Sequence, residues 1–134
     1  MNNTKKNLTH ADLAQFSGDL TRYRTFNSQV IYTPGVRYVA EHGEAYWLID
    51  AMASYFGSDL MQSAFEKDQR LESLQFWRLN VQDDQSAELI AQADSNVKPF
   101  IRQSIPFTDF PLSHVRIWAG FDGTYWTLYL PSEH

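Results

Sequence analysis

Asp109, His114 and Arg116 are the residues in this 134-residue chain whose types and spacing come closest to a catalytic group. An imidazole beside a carboxylate can act as a general acid or base. A small hydrolase or transferase using His114 with Asp109 is therefore one reading. No nucleophile or second acid completes the pattern. A plainer account is also available. Asp109, within Thr108-Asp109-Phe110-Pro111, is a natural turn residue whose side chain can bond its own backbone, and His114 is an amphipathic ring at a strand end. Other chemistries have less to build on. The four histidines, His10, His42, His114 and His134, show no i, i+4 pair, so no metal site is expected. The six glycines are scattered rather than gathered into a phosphate loop, and no serine sits in a nucleophile-elbow pattern. No cofactor is expected, and a non-enzymatic role is the favoured reading.

A second group, Arg116, Trp118, Tyr125 and Tyr129, is a better binding candidate, because Trp, Tyr and Arg are enriched at interface hot spots. These residues share a face only if residues 115–130 form a β-hairpin. Asp122-Gly123 between two alternating apolar runs is a strong hairpin signal, since a two-residue type I′ turn needs positive φ at both positions. Counting outward from that turn pairs Phe121 with Thr124, Ala119 with Trp126, Ile117 with Leu128 and Val115 with Leu130 on a core face. The opposite face then pairs Arg116 with Tyr129, Trp118 with Thr127 and Gly120 with Tyr125. A slip of one residue would exchange the faces. This second face is either an exposed aromatic–cationic surface or a surface covered by further helices.

The elements that would position these residues can be read along the chain. Residues 1–7 are polar and expected to fray. Thr9 and Asp12 form an acidic capping box for a helix from Leu8 to Gly18, with Leu8 and Leu13 as its staple. Residues 19–33 read as an irregular strand or an extended connection. Thr33 caps a helix with Pro34 at its first position, Val36, Val39 and Ala40 on its apolar strip, and Gly43 at its end. Residues 44–56 carry apolar side chains around most of a helical circumference, so that helix should lie centrally on the sheet, with Asp50 on its polar edge. Ser58 caps another helix to about Lys67. From Leu74 the period becomes two. Residues 74–81 and 86–93 read as strands, and Pro99 makes 97–105 an edge strand or a broken one. Residues 107–112 form an aromatic loop into the hairpin. Helices in the N-terminal half and a mainly antiparallel sheet in the C-terminal half argue an α+β fold, with 1–134 as one domain.

Composition limits the classes. The chain is 43% hydrophobic and 15% aromatic, which is incompatible with wholesale disorder. It has no Cys, which excludes disulfides and thiolate chemistry and fits a reducing cytoplasm. No run is long and apolar enough to span a membrane, and the first residues lack the apolar core of a secretory signal. Net charge is −5 with a pI near 5.2, which disfavours general binding to nucleic-acid backbones.

Four strings carry a family resemblance: Tyr46-Trp47-Leu48-Ile49-Asp50-Ala51, Phe76-Trp77-Arg78-Leu79, Thr108-Asp109-Phe110-Pro111-Leu112 and Leu130-Pro131-Ser132-Glu133-His134. Through them the chain resembles an uncharacterised domain-of-unknown-function family of bacterial, plasmid and phage proteins, from about Leu13 to the end. The resemblance implies a mobile-element setting and supplies no catalytic residues. In that setting a small acidic protein is expected to inhibit or modulate host machinery, as anti-defence proteins do. The expectation is thus a cytoplasmic binding module that docks on a host or phage protein. A homo-oligomer that buries the hairpin face on itself is the remaining alternative.

Overall fold

The computed structural model describes residues 8–18 and 20–134. The expected fraying of residues 1–7 lies outside them. Helix starts follow the local chemistry. Helix α1, His10–Ala14, opens with a complete capping box: the Thr9 hydroxyl accepts from Asp12 N–H at 3.1 Å, and the Asp12 carboxylate accepts from Thr9 N–H at 3.0 Å. Leu8 and Leu13 are both buried, as the staple requires. The helix ends at Ala14, short of the expected Gly18. Only Leu13 is buried on it, and so short an amphipathic segment has little packing to sustain another turn.

Helix α2, Pro34–His42, is capped by Thr33, whose hydroxyl accepts from Val36 N–H, and it buries Val36, Val39 and Ala40. Helix α3 runs over Tyr46–Ala53, narrower than the expected 44–56. Glu44 adopts a left-handed conformation (φ 51°) that separates it from α2, and looser turns carry the chain on to Phe56. Leu48, Ile49, Met52 and Ala53 are buried on α3, while Asp50 is exposed. Ser58 caps α4, Asp59–Lys67, through Met61 N–H at 3.2 Å, and a 3₁₀ turn follows at Gln69–Glu72.

Seven strands form one sheet: β1 Tyr23–Arg24, β2 Val30–Tyr32, β3 Leu74–Val81, β4 Ala87–Gln92, β5 Ile101–Ile105, β6 His114–Phe121 and β7 Trp126–Tyr129. Their order is β1-β2-β7-β6-β3-β4-β5, antiparallel throughout except for the parallel β2–β7 pair. The fold is therefore α+β with a mixed, mostly antiparallel sheet. Two points correct the expected segregation. The N-terminal half supplies strands β1 and β2, and helical turns recur at the C-terminus, where Pro131–Glu133 is a 3₁₀ turn. Within 20–33, β2 gains its place by pairing with the distant β7, which local propensity does not encode, and β1 pairs in turn with β2. Strand β5 lies at the sheet edge and begins only at Ile101, past Pro99.

The hairpin register also differs. Phe121 pairs with Trp126, Ala119 with Leu128 and Trp118 with Tyr129, so the loop is the four residues 122–125 rather than two. The cause is the Asp122 side chain. Its Oδ1 accepts from Thr124 N–H at 2.8 Å and from Tyr125 N–H at 2.7 Å, while Asp122 N–H donates to the Tyr125 carbonyl at 3.1 Å. This Asx arrangement fills a wider turn, with Gly123 alone at positive φ (99°). A two-residue displacement leaves each strand's faces unchanged. Val115, Ile117, Ala119, Trp126, Leu128 and Leu130 are all buried as expected, whereas Phe121 and Thr124, expected on the core face, are exposed at the loop.

The core lies between one sheet face and helices α2–α4. Trp77 and Trp126 meet Phe56 at ring distances of 6.2 and 4.8 Å, and Tyr55 stands 5.7 Å from Trp77. Among the described residues no helix is long and apolar enough to cross a membrane.

Candidate docking face on the open side of the sheet

The second face of the sheet is built from the alternate residues of the same strands. Among the described residues no helix lies across it. At its margins His10 of α1 reaches His114, with rings 4.6 Å apart, and His134 reaches Trp118 and Tyr129. Cross-strand register sets two rows on this face. Phe76 pairs with Trp118, which pairs with Tyr129. One step along the strands, Arg78 pairs with Arg116.

The aromatic row is a contiguous cluster. Trp118 stands 5.0 Å from Phe76 at 86°, 6.1 Å from Tyr129 at 81° and 5.3 Å from His134 at 74°, all edge-to-face geometries that favour ring pairs. Tyr129 OH and His134 Nδ1 are 2.8 Å apart, and their rings stack at 14°. Burial raises the Tyr129 pKa above the ordinary tyrosine value, so the phenol stays protonated. Phe76, Trp118 and Tyr129 are half-buried, and Arg116 is exposed.

Among the described residues neither arginine of the cationic row forms an ion pair. Among the described residues the ion pairs are Arg70–Asp68 and Arg102–Glu88. Arg78 instead donates from Nε to Asn80 Oδ1 at 2.7 Å. Phe76, Arg78, Arg116 and Trp118 line a shallow hollow with Gln92, Ser95 and Asp94 at its rim.

The structure divides the residues singled out from sequence. Arg116, Trp118 and Tyr129 do share this face. Tyr125 does not: the wider loop removes it from its place opposite Gly120, and it lines a separate hollow with Arg24, Phe26 and Ile31. His114 lies on the open face beyond Arg116, next to Asn80 across the strands. Burial lowers its pKa first, and His10, Arg78 and Arg116 lower it further. Asp109 is exposed between buried Thr108 and buried Phe110, and the Thr108 hydroxyl accepts from Phe110 N–H at 3.2 Å. The nearest polar side chain recorded against His114 Nδ1 is Ser113 Oγ at 3.4 Å. Among the described residues no cluster of three or more His, Cys, Asp or Glu could hold a metal ion.

Phe76, Arg78 and His134 are members of the face that sequence reasoning missed. The alternation of β3 already put Phe76 opposite Trp77, so its side was readable. Its pairing with β6 was not, because β4, β5 and their connections intervene in sequence.

These features define a class: an α+β domain with helices on one side of a mixed sheet and an open aromatic–cationic face on the other. The chain belongs to a family of unknown function (DUF6876), whose model matches residues 7–134. No curated protein and no solved structure matches the chain.

Proposed function

We propose that this protein is a non-enzymatic, intracellular binding module that docks a partner protein on the open face of its sheet. The observation that supports this reading is the row Phe76–Trp118–Tyr129 beside Arg78 and Arg116, on a face that no helix among the described residues covers. An exposed patch of this composition is the kind that carries interface hot spots. The partner is a host or mobile-element protein, and the consequence of docking is inhibition or modulation of host machinery, anti-defence activity included.

The test is partner capture by the wild type and by Trp118→Ala. Capture should weaken by about 2 kcal/mol or more, the hot-spot scale, while the cooperative melt is retained. Light scattering of the purified protein addresses the homo-oligomer alternative. An unfolded variant, or a folded one that captures normally, would remove the aromatic row from the binding role.

A further inference from the structure

We infer that the segment received by the open face is an acidic stretch of the partner, with its carboxylates against Arg78 and Arg116. This rests on the docking role proposed above and specifies its chemistry. The argument starts from a cost. Arg78 and Arg116 are direct cross-strand neighbours, and like charges in that position destabilise a sheet. The fold keeps them opposed and pairs neither with a carboxylate among the described residues. It does so in a chain with net charge −5, so the two guanidinium groups form a local positive site on an acidic protein. Cross-strand neighbours are close enough for one carboxylate to accept from both guanidinium forks, a strong charge-assisted geometry. The hollow beside them is walled by Phe76 and Trp118, which suits an apolar or aromatic side chain next to the acid.

A single-stranded nucleic acid also combines negative charge with flat groups, but the ring geometry argues against it. Base binding uses open ring faces as stacking platforms within a positively charged groove. Here Trp118 is held edge-to-face among three rings, and Tyr129 is already stacked on His134. Glu88 and Asp94 flank the patch and oppose a long polyanion. A face-to-face second copy would bring the same arginines together, which is unfavourable without added counter-charge.

The experiment is a titration of isotope-labelled protein with a short peptide of glutamates flanking one phenylalanine, followed by NMR. A glutamine counterpart and an oligothymidine serve as comparison probes. The glutamate peptide should shift the Arg78 and Arg116 side-chain signals and the Trp118 indole, and these shifts should weaken with added salt. Arg78→Gln and Arg116→Gln should each weaken binding roughly ten-fold or more while leaving the melt unchanged or raised, because a repulsion is removed. No shift with the glutamate peptide, or equal shifts with the glutamine peptide, overturns the inference. A stronger response to oligothymidine assigns the face to nucleic acid and overturns it too, and so do peptide-free shifts that grow with protein concentration. The wild-type titration decides even where a variant fails to fold. Loss of partner capture by Trp118→Ala, together with a silent glutamate titration, rejects the acidic segment and retains the docking face.

Discussion

Gln75 is fully buried on the helix-facing side of β3, between Met61 and Trp77. Its Nε2 donates to the Leu71 carbonyl at 3.0 Å, and its Oε1 accepts from the Trp77 indole at 2.9 Å. A buried polar side chain so satisfied is stable, whereas its removal strands both partners. Gln75→Leu should therefore destabilise by roughly 1–3 kcal/mol despite its greater apolarity, measured by denaturant unfolding. A neutral or stabilising result would show that the network contributes nothing. His114 gives a pH-dependent counterpart. Its pKa is lowered in the fold by burial and by the nearby His10, Arg78 and Arg116. The unfolded chain thus takes up this proton first as pH falls. The histidine's contribution is complete above the ordinary value near 6.5, declines as pH drops from there to the folded value, and is level below it. Unfolding free energies of wild type and His114→Gln should accordingly diverge across that window, with the wild type losing stability faster on acidification. Parallel profiles would count against it.

At the scale of elements, the C-terminal 3₁₀ turn does more than its length suggests. The Glu133 carboxylate accepts from Thr33 Oγ1 at 2.7 Å, Gly35 N–H at 3.2 Å and Leu130 N–H at 2.9 Å. It therefore caps the N-terminus of α2, where negative charge is favoured by the helix dipole. Gly35 is required for this approach, because a Cβ there would lie 2.5 Å from Glu133 Oε1. Ser132 also donates to the Leu13 carbonyl, which fastens α1. Deleting residues 132–134 should cost roughly 2–3 kcal/mol, more than an exposed ion pair contributes. A thermal melt within the range of a surface substitution would contradict this.

For the whole molecule, β7 is the strand on which the two parts of the sheet depend. It lies between β2 and β6 and joins the N-terminal strands to the antiparallel C-terminal ones. Removing residues 126–134 would leave both neighbours as unpaired edges and take Trp126, Leu128 and Leu130 out of the core. That truncation should abolish cooperative unfolding, read by calorimetry. A cooperative, near-native melt would mean the remaining strands fold without it. The opposite edge is better protected, since β5 is short and bracketed by Pro99 and Pro106.

Local physics was legible along the chain: the Thr9, Thr33 and Ser58 caps, strand 74–81, the interruption of 97–105 at Pro99, and the inward and outward sides of residues 115–130. Each depends on neighbours a few positions away, through a cap, a ring constraint or the alternation of a strand. Tertiary structure decided the rest. The hairpin register shifted by two residues because the Asp122 side chain fills a wider loop, and apolar alternation is blind to an even displacement. Strand β2 joins the sheet through β7, which is distant in sequence, and β1 joins through β2. Gln75 entered the core because the Trp77 indole and the Leu71 carbonyl meet there. Sequence alone grouped Arg116, Trp118 and Tyr129. Only the pairing of β3 with β6 brought Phe76 and Arg78 beside them and left the resulting face open, because long-range strand order carries no local signal.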